Sequence, residues 1–350
     1  MRPTGVYNVH YTQEMEICRT KTHKILMLAG ILVLTFGPLL FLSDSKLTIL
    51  IIIGISIVAM QGLNILFGFT GQISVGHSAF IGAGAYASAL LSTGLHFPFL
   101  AAFIGAGIIS ALIGLIFALP SVRVKGFYLA ITTLGAYFII IWVIQHWDRL
   151  TSGIWGLSVP RASIGGIVLD TEPKFYIFTL AVVLVTTFAA KNIMRSHVGR
   201  ALVAVRDNDL AAAVMGINVF RYKLLAFFIC CFYAGLAGSM WAHYIISIHP
   251  EQFPFFDSIW YLGFLAVGGM GSIMGPVFGT ILWRLLSEAV AALVPLLSTS
   301  FPAFAATAYS GLSLIIFGLV VVVFLILEPR GINHRWTIFK SYYRLWPFSY

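Results

Sequence analysis

The sequence has little charge. Only 9% of its 350 residues are Asp, Glu, Lys or Arg, against roughly 25% in an average soluble domain. That is too few to cover a soluble surface, and a mean hydropathy of +0.96 agrees. Cysteine is scarce as well. Three residues, Cys18, Cys230 and Cys231, give no disulfide framework. The adjacent pair on a helix points in different directions and reads as small apolar packing. There is no Gly-x4-Gly-Lys-Ser/Thr phosphate loop, so the chain carries no nucleotide chemistry of that kind. No His/Glu metal cluster, nucleophile–base spacing or Asp/Glu pair occurs within the apolar runs, which argues against a membrane enzyme. Carboxylates at membrane depth reduce to Glu288 and, at a span end, Asp257. An ion-coupled secondary transporter normally needs more. The apolar runs do not alternate with polar residues, which disfavours a membrane barrel.

What is present is long hydrophobic segments. No charged residue lies between Lys46 and Arg123, and further charge-free runs cover 25–43, 126–147, 175–190, 224–250, 258–283 and 289–327. At ~20 residues per crossing, spans are expected near 25–42, 47–67, 74–93, 98–119, 127–147, 174–190, 222–246, 257–270, 275–294 and 304–327. The third and eighth are Gly-rich and are expected to be broken or re-entrant. The fold class is therefore all-α, a polytopic transmembrane helical bundle of about 8–10 spans. The run Ile25–Leu42 has no small-x-small cleavage site after it and reads as a retained span. Residues 1–24 form an N-terminal segment, 25–331 the membrane domain and 332–350 an interfacial tail.

With the N-terminus inside, sixteen of the 21 basic residues fall in cytoplasmic segments, four in outer segments and one, Arg284, within a span. This positive-inside bias supports an even span count and both termini in the cytoplasm. The net charge of +9 then reflects residues facing anionic headgroups rather than nucleic acid. The tail mixes Lys340 and Arg344 with Trp336, Tyr342, Tyr343 and Trp346, an interfacial composition.

Two loops are long: an outer one at 148–173 and a cytoplasmic one at 191–221. Within the second, apolar Leu202, Val205, Leu210 and Val214 suggest two short helices broken at 207–209. Asp209 is expected to cap the second and Gly216 to end it in a left-handed conformation. The result is a compact knob, read from pattern alone as either a connector or a docking element.

The charge-free block buries polar residues: Gln61, Asn64, Thr70, Gln72, Ser74, His77 and Ser78, among many glycines. Such residues serve either as interhelical glue or as a polar path beside broken helices. A lone His77 is no metal site. Arg284 and Glu288, four apart, are expected to face each other as an intramembrane ion pair, with a structural or a functional role.

Several motifs together resemble one family. Gly199-Arg200-Ala201 followed by Val205-Arg206-Asp207-Asn208-Asp209 is similar to the coupling loop of branched-chain amino-acid ABC importer permeases. Ala211, Ala212 and Gly216 fit that loop's Ala-Ala-x3-Gly spacing, with Leu210 in place of its Glu. Leu63 to Tyr86, Val122 to Leu134, Leu150 to Leu157, Gly268 to Pro276 and Glu328-Pro-Arg-Gly331 resemble further family signatures, the second and third those of the larger, M-type subunit. The resemblance runs from about Leu47 to Gly331. It implies a non-catalytic permease subunit in a bacterial inner membrane that binds no cofactor. ATP would be used by two partner ABC ATPase subunits, alongside a second, homologous permease and an extracytoplasmic binding protein. Gly199, Arg200, Arg206, Asp207, Asp209, Ala211, Ala212 and Gly216 would form the ATPase-coupling loop. Gln61, Asn64, Gln72, Ser74, His77 and Ser78 would line the substrate path. Branched-chain or other small amino acids are the implied substrates, with urea or short amides as the alternative.

Overall fold

A computed structural model describes residues 21–122, 127–300 and 305–345. Most of the N-terminal segment, with Cys18, and the basic pair Arg123 and Lys125 lie outside the described residues. Every segment expected to span carries a helix. These are α1 (Lys21–Phe41), α2 (Asp44–Leu63), α3 (His77–Thr93), α4 (Phe99–Ser121) and α5 (Phe127–His146). After a single-turn α6 (Asp148–Thr151) come α7 (Glu172–Arg195), α8 (His197–Asp207), α9 (Asp209–Val214) and α10 (Val219–Ile245). Then follow α11 (Phe255–Gly268), α12 (Gly275–Ser300), α13 (Ala305–Leu327) and α14 (Ile332–Leu345). The fold is an all-α polytopic bundle. Among the described residues, six helices are long and apolar enough to cross a membrane, or seven if α13 and α14, bent by 45°, count as one span.

The two Gly-rich segments are the short ones. Helix α3 has 17 residues and α11 has 14, about 25 Å and 21 Å at 1.5 Å per residue, against a hydrocarbon core of ~30 Å. Each has a non-helical lead-in. Helix α2 runs into a π-helical turn, Asn64–Gly68, and residues 71–76 then lead to α3 without regular structure. Residues 249–254 lead to α11 through a single 3-10 turn. Non-helical backbone at membrane depth is tolerated where protein buries it. Here Val75 N–H donates to Thr133 Oγ1 of α5 at 3.0 Å, and Tyr137 of α5 donates to the Phe253 carbonyl at 3.2 Å.

Helix α10 is the centre of the bundle, packed on α2, α3 and α4. Small residues permit the approach: a Cβ on Gly84 of α3 would collide with the backbone of Gly235 of α10. On its other side Gly235 meets Ala106 and Gly107 of α4. Without a hydrophobic drive between helices in lipid, such contact is the main source of association. Gly235→Leu is expected to push α10 off both neighbours. Overpacking typically costs about 1–3 kcal/mol, and the obstacles here include rigid backbone. Size-exclusion chromatography in detergent should show aggregated or lost protein, with Gly235→Ala milder.

On the far face from α8 and α9, the 148–173 loop folds into short pairs. β1 (Leu157–Ser158) pairs antiparallel with β4 (Ser247–Ile248), and β2 (Ser163–Ile164) with β3 (Ile167–Val168). Lys174 reaches Asp170 at 2.6 Å. That contact holds the exposed Asp170 carboxyl below its ordinary range, so the pair persists into mildly acidic solution.

Candidate coupling knob and buried polar path

The 191–221 loop is a rigid knob. Ser196 caps α8, accepting from Val198 N–H at 3.2 Å. Gly199 is buried against the Met194 backbone, so α8 folds tightly back on α7. Leu202 and Val205 are buried and anchor α8. The cap of α9 differs from expectation. Asn208, one residue before Asp209, accepts from the Leu210 and Ala211 N–H groups at 3.1 Å each. Asp209 is the first helical residue, and its carboxylate pairs with Lys223 of α10 at 3.5 Å. Asn supplies the cap while Asp serves as the tether, both roles suited to short polar side chains.

The outer surface of the knob is apolar. Leu210, Val214 and Met215 are 70, 88 and 81% exposed. Ala211 is exposed beside them and Ala212 is buried. Gly216 has φ +83° and ends α9. Nothing lies within 4 Å of where its Cβ would be, so within this chain it is needed for its conformation, not for space. Arg200 is on the surface, its guanidinium near the Arg195 carbonyl at 3.4 Å.

Arg206 joins the knob to the bundle. Its Nη1 donates to the Gly68 carbonyl at 3.0 Å, while Nε and Nη2 both donate to Asp207 Oδ1 at 3.0 Å. Gly68 lies in the bend after α2, and it abuts Gly271 in the bend between α11 and α12. A Cβ on Gly68 would collide with the Gly271 nitrogen. Asn64 links the same two bends: its Oδ1 accepts from Gly271 N–H at 3.0 Å and its Nδ2 donates to the Ser272 carbonyl at 2.8 Å. One guanidinium and one amide thus connect the knob to both breaks.

The other expected path residues divide. Gln61 is buried and donates to Thr187 Oγ1 of α7, leaving its Oε1 unpartnered. His77 is fully buried. Its Nε2 faces the Ala59 carbonyl at 3.0 Å and must donate, since a carbonyl cannot, and Nδ1 faces Cys230 Sγ at 3.7 Å. Both are interhelical ties. Gln72 and Ser74 differ. Burial alternates from Gly71 to Gly76, and this turns both inward. Gln72 donates to the Lys223 carbonyl at 3.2 Å, and its Oε1 and the Ser74 hydroxyl have no partner.

Two polar cavities lie at the ends of this segment. One of about 350 Å³ opens at the knob, lined by Thr70, Gln72, Arg206, Asp207, Asp209 and Lys223 among others. A smaller one, about 40 Å³, lies deeper and includes Ser56, Ser78, Asp257, Tyr261 and Arg284. Ser78 and Ser258 share a hydroxyl contact at 2.8 Å beside it. A larger space of about 630 Å³ between α3, α4 and α5 is lined almost wholly by apolar side chains, suited to lipid rather than to a polar solute.

Arg284 is not where spacing put it. It forms no ion pair with Glu288, which is exposed. Its Nη2 donates to Ser56 Oγ at 2.9 Å and its guanidinium lies 4.6 Å from the Trp283 ring centroid. An i,i+4 pair on a helix is worth only about 0.2–0.5 kcal/mol, so a hydrogen bond to a neighbouring helix and an aromatic face outweigh it. Asp257 stands at the end of its segment as expected, in the first turn of α11, and it lines the deeper cavity. Sequence reasoning did not single out Ser56, Ser258 and Tyr261. Nor did it find the buried Ser88–Ser239–His243 cluster, whose His243 Nδ1 donates to the Pro160 carbonyl at 2.8 Å. Isolated serines in apolar helices carry no signal at the level of spacing. Among the described residues no group of His, Cys, Asp or Glu is arranged to hold a metal ion.

Comparison with known proteins gives a consistent result. A family profile described as "Branched-chain amino acid transport system / permease component" matches residues 45–327. The chain is 30% identical over 281 residues to the high-affinity branched-chain amino acid transport system permease protein LivM of Escherichia coli K12, covering 73% of this chain and 66% of that one. It is 29% identical over 287 residues to LivM of Salmonella typhimurium, covering 75% and 67%. The corresponding LivH protein of Salmonella typhimurium is 27% identical over 300 residues, covering 78% and 89%. The chain thus spans about two thirds of the length of these LivM relatives. No solved structure matches.

Proposed function

The chain belongs to the family of permease components of branched-chain amino acid transport systems, and from that premise we propose that it is the M-type translocating subunit of an ATP-driven importer. It carries branched-chain or similar small amino acids inward after delivery by an extracytoplasmic binding protein. The likeness to LivM and LivH proteins together supports a heterodimer with a second, homologous permease. Two cytoplasmic ATPase subunits supply the energy, and the knob lies on the cytoplasmic side, with both termini.

The observation that carries this reading is the knob. A capped two-helix element presents Leu210, Val214 and Met215 to solvent, and its Arg206 touches the bends of two broken spans. Exposed apolar side chains on a rigid, polar-rimmed element mark an interaction surface. The charges around it set orientation more than affinity. Closure of the ATPase pair would then move the knob, and the knob would move the bends.

Replacing Leu210 and Val214 with Asp is expected to abolish co-purification of the ATPase subunits. It should reduce uptake to background while the chain stays membrane-inserted. Retained co-purification would refute the docking assignment. Uptake competition between leucine and urea decides the substrate class: the amino-acid reading requires leucine to compete and urea to fail.

A further inference from the structure

The cavity between α2, α3, α10, α11 and α12 holds two opposite charges that are not in direct contact with each other. Arg284 lies nine residues into α12, about 14 Å along its axis and so near the middle of a ~30 Å core. It is held by Ser56 and by the Trp283 face, and its Nε has no partner. Asp257, in the first turn of α11, lines the same cavity. Its carboxylate forms no ion pair or hydrogen bond among the described residues. Charges at this depth are costly and normally collapse onto each other. Here Arg284 is instead in contact with Ser56 and the Trp283 face.

The cavity also lies where two half-helices begin. The N-terminal turn of α3 is tied to α11 through Ser78 N–H and Ser258 Oγ at 2.9 Å. Half-helix ends meeting near the midplane are a recurring setting for charged solutes. Ile55, Ile81 and Phe253 supply an apolar wall. A ligand that fits must carry a negative and a positive group close together, with an apolar remainder.

The geometry points to a zwitterion site: Arg284 binds the α-carboxylate of the transported amino acid and Asp257 its α-ammonium. The inference rests on the amino-acid reading given above. At about 40 Å³ the cavity is too small for a leucine in this conformation. Admitting a leucine side chain requires α11 and α12 to separate, and the 269–274 bend beneath them is where that motion would occur. Glu288, one turn beyond Arg284 and exposed, has no part in the site.

The test is equilibrium binding of tritiated L-leucine to the full-length chain, assembled with its membrane partner in nanodiscs and without binding protein. Leucinamide, which lacks the carboxylate, and isocaproate, which lacks the ammonium, serve as competitors. Both should compete at least tenfold more weakly than leucine in the unaltered chain. Arg284→Gln should erase the discrimination against leucinamide only, and Asp257→Asn that against isocaproate only. Arg284→Lys should retain part of it, and Glu288→Gln should match the unaltered chain. A merely structural role cannot remove the preference for one group at a time. Variants that keep the original order of competitors, or no leucine binding at millimolar ligand by an assembly that takes up leucine, overturn the inference alone. An assembly that takes up no leucine at all overturns the amino-acid reading with it.

Discussion

Replacing Arg206 with alanine will lower substrate uptake at least tenfold while the ATPase subunits still co-purify. The side chain reaches from the knob to the Gly68 carbonyl at 3.0 Å, whereas the apolar docking face is formed by other residues. A hydrogen bond from a charged donor is worth about 1.5–3 kcal/mol, and each 1.4 kcal/mol is a factor of ten. The Arg206 side chain is 38% exposed, which places the effect toward the lower end of that range. Lysine at 206 should restore only part of the loss. A single ammonium cannot engage Asp207 and the Gly68 carbonyl with the two-sided geometry of a guanidinium. The measurement is paired: uptake and ATP hydrolysis in the same proteoliposomes. Hydrolysis that continues without uptake is the expected signature. Full uptake in Arg206→Ala would remove Arg206 from the coupling path.

Asn64→Leu is expected to destabilise the chain by about 1–3 kcal/mol, the cost of leaving part-buried backbone groups without their partner. Leucine keeps asparagine's branching pattern but cannot serve the Gly271 N–H or the Ser272 carbonyl. Ser74→Ala is the contrast, because the Ser74 hydroxyl has no partner to lose, and its thermal midpoint should stay near that of the unaltered chain. Cys230 and Cys231 are free and buried, so in a Cys18→Ser background a thiol-reactive dye reports unfolding. A thermal midpoint for Asn64→Leu equal to that of Ser74→Ala would show that the bends do not depend on this amide.

The sequence carried the helices, because a membrane span is written in a continuous run of apolar residues and each run found its helix. It also marked which two would be broken. Gly68 and Gly71 recur as Gly268 and Gly271, and these segments meet in the bundle. That echo was visible in the sequence, but nothing local says that two similar bends touch. The knob's helix break was legible for the same local reason, whereas its cap moved by one residue because Asn and Asp in succession compete for one role. Arg284 was misplaced because spacing of four describes one helix only. Its actual partners, Ser56 and Trp283, include a residue 228 positions away. Contacts of that kind follow from how helices pack, and a lone serine announces nothing.

The brevity of α3 and α11 bears on how the chain is made. At 17 and 14 residues, neither helix reaches across the hydrocarbon core alone. The polar lead-ins beside them would face lipid with unmet backbone groups. During synthesis, therefore, neither is a self-sufficient insertion unit. Each is expected to wait beside the translocation machinery, or at the membrane surface, until a longer neighbour made after it shelters it: α4 or α10 for the first, α12 or α13 for the second. Biogenesis of this bundle is accordingly expected to proceed in hairpins rather than helix by helix, and a nascent chain halted just after residue 93 or 268 should leave its last segment without a stable place in the bilayer.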